Sequence, residues 1–217
     1  MKLNVGCGRD IRGGEGWLNL DSVALPGVDI VHDLETCASN PIPHPDDSIE
    51  EFLLAHIIEH IRNVLPMMEE LHRIAVPGAK MLIRCPYGSS DDAFEDPTHV
   101  RPYFLNSFGY FSQPFYWRVS AKEVSGVGCS DVPGRYTAAS GEVWINGYGY
   151  RGDWQPETVT LICRPEPCKG LSPQQVLEKV NRERNVVTEM LVELRAIKPI
   201  REAKKDLQVA PKLRIGV

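Results

Sequence analysis

Residues 49–63 read IEEFLLAHIIEHIRN, and the fold of the chain turns on whether this stretch is a helix or a strand. Ser48 and Glu51 have capping-box spacing, and Phe52, Leu53, Ile57, Ile61 and Val64 recur roughly at helical intervals, so read alone the stretch is a helix. A helix would put His56 and His60 on one face with Glu59 between them. In that H-x-x-E-H arrangement two imidazoles can share a tetrahedral zinc ion while the carboxylate takes a proton from bound water. A strand ending near Ala55 would instead deliver His56 to a loop lined by backbone polar groups.

The flanking sequence favours the strand. "KLNV" running into "GCG", then "GWLNLD", "VDIVHDLE", "IEEFLLA" and "AKMLIRCPY", are short apolar runs separated by Gly, Pro, Asp and Asn, the signature of buried parallel strands. Between the fourth and fifth lies "NVLPMMEELHRIAVPG". Here Met67, Leu71 and Ile74 form a helical stripe, Pro66 suits a first turn and Gly78 a stop. Parallel strands joined by crossovers predict an α/β, Rossmann-like, doubly wound and mostly parallel sheet, with its ligand beyond the carboxyl ends of the strands. After Tyr87 the chain is dense in aromatic and turn residues, which predicts a cap over the substrate side, about residues 88–140. "GEVWINGYGY" and "ETVTLICR" are expected to close the sheet as an antiparallel pair. Ser172, Pro173 and Gln175 open a helix by capping-box logic. Val176, Val180, Val187, Leu191 and Leu194 extend it as one long amphipathic helix over 172–198, expected to pack on another copy or a partner. One domain over residues 1–168 is therefore expected, followed by a helix and basic tail over 169–217.

With 217 residues, 42% of them hydrophobic, the chain is long enough for one well-buried core. It opens without an apolar signal core and contains no run of membrane-spanning length, so a soluble, cytoplasmic protein with no membrane partner is expected. Six cysteines without a C-x-x-C pair point to reduced thiols rather than a disulfide or zinc framework. The net charge of −5 argues against a nucleic-acid groove, although basic residues outnumber acids between Arg195 and Val217.

Chemistry follows the strands. Gly6-Cys7-Gly8 lets the backbone turn sharply and lets a ligand approach main-chain N–H groups. Asp21 ends the second strand, where a carboxylate can accept from both ribose hydroxyls; Asp33-Leu34 ends the third, where an acid can meet a purine amino group. In "LNVGCG", "NLD", "HDLE", "AHIIEHI" and "RIAVPGAKMLIRCPY" the first 90 or so residues resemble the class I S-adenosylmethionine-dependent methyltransferases, particularly their small type 11 branch. The resemblance implies that Gly6, Cys7 and Gly8 cradle the methionine part of the cofactor and that Asp21 holds the ribose. Asp33 with Leu34 would meet adenine, and His56 would follow strand four beside the cofactor. It thus implies S-adenosyl-L-methionine as cofactor; no stoichiometric metal is expected. Two departures stand out. Asn4 takes the place where many relatives carry an acid, and "RDIRGGEGWLNL" leaves no room for the usual first helix. An N-P-P-Y segment is missing after strand four, so DNA adenine methylation is not expected.

Methyl transfer from a sulfonium needs mainly near-attack geometry in a dry pocket, plus a base where the acceptor must lose a proton. "EDPTHVRPY" supplies His99 as base, Asp96 to orient it, and Arg101 or Tyr103, with Tyr87 nearby, to hold a small or carrier-bound acceptor. Two competing readings are a zinc hydrolase through His56, Glu59 and His60, and a non-catalytic Rossmann-like module.

Overall fold

The computed structural model describes residues 1–118, 136–137, 143–144 and 150–216. Five parallel strands form where expected: β1 (Lys2–Val5), β2 (Trp17–Asp21), β3 (Ile30–Val31), β4 (Ile49–Ala55) and β5 (Ala75–Pro86). The deciding stretch is therefore a strand, because Phe52 and Leu54 are buried between β1 and β5, and tertiary pairing overrides its helical spacing. The helix α1 (Val64–Ile74) crosses from β4 to β5 and buries Met67, Met68, Leu71 and Ile74. Gly78 is not its stop. The helix ends at Ala75, and Gly78, at φ +81°, lies inside β5 where the register with β4 slips.

The chain continues through the single turn α2 (Asp92–Glu95) and a separate two-stranded ribbon of β6 (Tyr136–Thr137) and β7 (Val143–Trp144). Then come β8 (Trp154–Cys163), α3 (Pro165–Cys168), α4 (Pro173–Val180), β9 (Val187–Ala196) and β10 (Lys212–Gly216). The main sheet runs β10-β8-β9-β5-β4-β1-β2-β3, with β9 antiparallel to both neighbours.

Two expectations are corrected here. The antiparallel partner of "ETVTLICR" is β9, not "GEVWINGYGY", most of which lies outside the described residues, as do residues 119–135 and 138–140 of the expected cap. The long helix over 172–198 does not form. Ser172 and Gln175 make the expected capping box, but α4 stops at Val180 and Asn185 turns the chain at φ +60°. The β-branched run Val186-Val187-Thr188 then enters a strand that buries Met190, Val192, Leu194 and Ala196 at a period of two. With that helix goes the surface on which assembly was expected, and the boundary at residue 168 falls between two paired strands of one sheet. Finally, the strand order is that of a doubly wound sheet, but among the described residues the connections after β1 and β2 are loops without an α-helix.

Candidate functional site

The spatial order β3-β2-β1-β4 brings four carboxyl ends side by side, and the predicted cofactor residues with them. Gly6 and Gly8 adopt φ +63° and +51°, conformations that L side chains rarely tolerate. A Cβ on Gly6 would meet Ile57 Cγ1 at 2.4 Å, so the turn is locked against the residue after His56, whereas above Gly8 nothing lies within 4 Å of a Cβ. The turn is thus rigid below and open above. Asp21 braces it: Oδ2 accepts from Gly8 N at 2.8 Å and Oδ1 from Val23 N at 3.0 Å. Each oxygen keeps a lone pair for a further donor. Asp33 is exposed and accepts from Glu35 N at 3.0 Å, while Leu34 is buried beneath it. Burial pushes the Cys7 thiol pKa up, with Asp21 adding to it, so the neutral thiol is favoured.

A buried amide pair, Asn4 with Asn19, stands where the usual first helix is missing. Asn4 Nδ2 donates to Asp10 O at 2.7 Å and to Asn19 Oδ1 at 3.1 Å. Asn19 accepts from Arg12 N and donates to Arg12 O and to Asp29. The Gly-rich loop is therefore sewn to β1 and β2 by side chains, and the facing asparagines, Asn4↔Asn19 in register, were the signal available in the sequence.

His56 follows β4 in a left-handed conformation, φ +53°, which is costly for a residue with a Cβ. Its Nδ1 lies 3.3 Å from Glu59 Oε1 and its Nε2 3.2 Å from Glu189 Oε1. The contact with Glu59 raises its pKa above the usual imidazole value, against the opposing effect of burial. Since Nε2 is engaged by Glu189 and His56 sits on no helix, the H-x-x-E-H zinc helix is absent.

The predicted catalytic pair is only partly assembled. Asp96 Oδ2 stands 3.8 Å from His99 Nε2, too far for a hydrogen bond, and Asp96 is engaged instead by Thr98 N and Oγ1 at 2.8 and 2.6 Å, which lower its pKa. The group that orients His99 is the Ala93 carbonyl, 3.3 Å from Nδ1. Of the predicted acceptor residues, Arg101 and Tyr103 line a cleft of about 690 Å³ with Arg62, Tyr110, Phe111 and Tyr116. The Tyr103 hydroxyl donates to Ile58 O at 3.2 Å, fixing that wall to the segment after β4. Tyr87 is buried against Phe104 and does not line the cleft.

No family model matches the sequence, and no curated protein matches it. Solved structures do. A SAM-dependent methyltransferase from Archaeoglobus fulgidus superposes with a TM-score of 0.51 at 14% identity, covering 89% of this chain and 85% of its own. An S-adenosylmethionine-dependent methyltransferase from Mesorhizobium loti gives 0.42 at 14% identity over 89% and 90% of the two chains. The first of these superpositions shows that the chain has the fold of an S-adenosylmethionine-dependent methyltransferase.

Proposed function

We propose that the protein is a methyltransferase that binds S-adenosyl-L-methionine along the carboxyl edge of β1 to β4 and methylates a small or carrier-bound acceptor. The observation that carries this reading is the open, braced glycine turn, with Asp21 and Asp33 following it on the next two strands. Bound there, the cofactor would supply an electrophilic methyl group on a sulfonium. Gly8, with no atom near its missing Cβ, leaves room for a ligand against the backbone, and Asp21 offers its remaining lone pairs to hydroxyl donors. Asp33 presents an exposed carboxylate to an amino group, and buried Leu34 supplies an apolar floor. For the acceptor, the cleft beside Tyr103 offers aromatic walls and the guanidinium groups of Arg62 and Arg101, a lining suited to an anionic or polar aromatic molecule.

Calorimetry with S-adenosylmethionine and its demethylated product tests the reading. Wild type is expected to bind both, and Asp21→Asn to bind more weakly by about 1–3 kcal/mol through the lost charge-assisted bonds. Binding to neither by wild type would remove the proposal. No helix among the described residues is long and apolar enough to cross a membrane.

A further inference from the structure

Glu59 is 2% exposed, yet neither of its carboxylate oxygens has a hydrogen-bond partner among the described residues. His56 Nδ1, at 3.3 Å, makes a charge contact with Oε1 on one side only. A buried carboxylate left in this state is costly unless something pairs with it.

Two further imidazoles lie near it. His60 follows Glu59 directly, and His99 arrives on the loop whose next residue, Val100, donates its N–H to Glu59 O at 2.8 Å. The rings of His60 and His99 meet edge to face, centroids 4.8 Å apart. Their outer partners fix both tautomers. The Thr98 hydroxyl donates to Asp96 Oδ1 at 2.6 Å, so toward His60 Nδ1, at 2.9 Å, it can only accept. His99 Nδ1 donates to the Ala93 carbonyl. Each ring therefore carries its proton on Nδ1 and a lone pair on Nε2, the arrangement in which a second shell of hydroxyl, carboxylate or carbonyl holds metal-binding histidines.

We propose that Glu59, His60 and His99 form a binding site for a divalent transition-metal ion of the zinc or manganese kind. One donor atom from each lies within 4.8 Å of the others. Donors around one tetrahedral ion with bonds of about 2.0–2.1 Å stand roughly 3.3 Å apart, so side-chain rotation of an ångström or so closes the site. Two imidazoles and one carboxylate suit such ions, and three protein ligands leave coordination positions for water or an acceptor oxygen. This is not the zinc helix suggested by H-x-x-E-H, since His56 contributes nothing to it. It also displaces His99 from the role of base, because a lone pair given to a metal cannot take a proton. The site stands on this geometry alone and does not rest on the methyl-transfer reading.

The test uses the full chain, stripped of metal and titrated separately with Zn²⁺ and Mn²⁺ by calorimetry, with the visible absorption of added Co²⁺ as a report on ligand number. One equivalent is expected. Glu59→Gln, His60→Ala and His99→Ala should each abolish binding or weaken it at least 100-fold, and Thr98→Val should weaken it by about 10- to 100-fold through the lost second shell. His56→Ala should keep one equivalent. No ion bound by wild type, or unchanged affinity in Glu59→Gln and His99→Ala, overturns the proposal. So does loss in His56→Ala with retention in His99→Ala, which would restore the helix-type pair. Melting temperatures of the metal-free variants identify any that misfold, and the nearly isosteric Glu59→Gln then decides. Calorimetry with S-adenosylmethionine on the same metal-free wild type separates a failed metal site from a failed cofactor site.

Discussion

Along β5, Ala79, Met81, Ile83 and Cys85 are at most 2% exposed, while the alternate residues Lys80, Leu82 and Arg84 lie open, Leu82 at 38%. The strand register spreads that division across the sheet. Met81 stands beside Phe52 and Leu194, on the face that carries Trp154 and α1; Leu82 stands beside Leu53 and Glu193, on the other. That second face has no α-helix in the connections after β1 and β2, and it carries ion pairs such as Lys2–Glu51, Arg84–Glu189 and Arg195–Glu157. Where it is buried, at Asn4 and Asn19, a loop pinned by amides does the covering. A sheet needs only one apolar face to fix its register, because a slip of one residue would turn that face outward. The helices of a doubly wound fold can therefore be shortened to loops on the other side without losing the carboxyl edge on which the candidate site stands.

The sharpest way to break the comparison is to cut one residue from each face. Trp154 is fully buried, donates Nε1–H to Met68 O at 3.0 Å and packs edge-on against Phe52 and His72. Trp154→Ala should cost about 3–5 kcal/mol in urea unfolding, the usual price of an aromatic cavity. Leu82→Ala should cost less than about 1 kcal/mol, as near-surface changes do. Similar losses from the two would mean that the outer face is covered in solution.

A second effect, of intermediate size, falls where the two faces meet the glycine turn. Asn4→Leu keeps the shape but strips the donors from Asp10 O and Asn19 Oδ1, and should destabilise by about 1–3 kcal/mol. Because the loop it holds leads out of Gly8, affinity for S-adenosylmethionine should fall with it. Calorimetry and urea unfolding on the same variant check both, and a destabilised variant with unchanged affinity would separate the amide pins from the site.

Much of this was legible in the sequence. Strands β1, β2, β4 and β5 are short runs rich in apolar residues, and Gly6, Asp21 and His56 stand at the carboxyl ends of the first three, so the parallel strands could be read from the sequence and a cofactor edge expected with them. The antiparallel β9 could not be read as easily. Val187, Leu191 and Leu194 also fit a helical stripe, and only the period-two set Met190, Val192, Leu194 and Ala196, with its β-branched entry, marks a strand half exposed on one side. Chain-distant meetings were illegible altogether. Nothing near His60 announces Thr98 or His99, and nothing near His99 announces that a carbonyl at Ala93, not Asp96, would orient it.

The smallest expected effect concerns charge, and it too divides the faces. The outer ion pairs are exposed and screened, so their titration should change stability little. His72 belongs to the covered side: it is buried, its ring packs on Trp154, and its Nε2–H donates to Ile197 O at 3.1 Å. Burial lowers its pKa, and Lys198 nearby acts in the same direction, outweighing the Ile197 hydrogen bond and the acids Asp153 and Asp47. The sign follows by linkage. With the folded value below the unfolded value of about 6.5, the unfolded chain binds the proton first, so stability is lost as pH falls through 6.5 and levels off below the folded pKa. His72→Gln keeps a donor for Ile197 O but does not titrate, and its melting temperature should therefore fall less than that of wild type between pH 7.5 and 5.5. Parallel curves for the two proteins would show that the acid sensitivity of the fold resides elsewhere, and the outer ion pairs would be the first groups to substitute next.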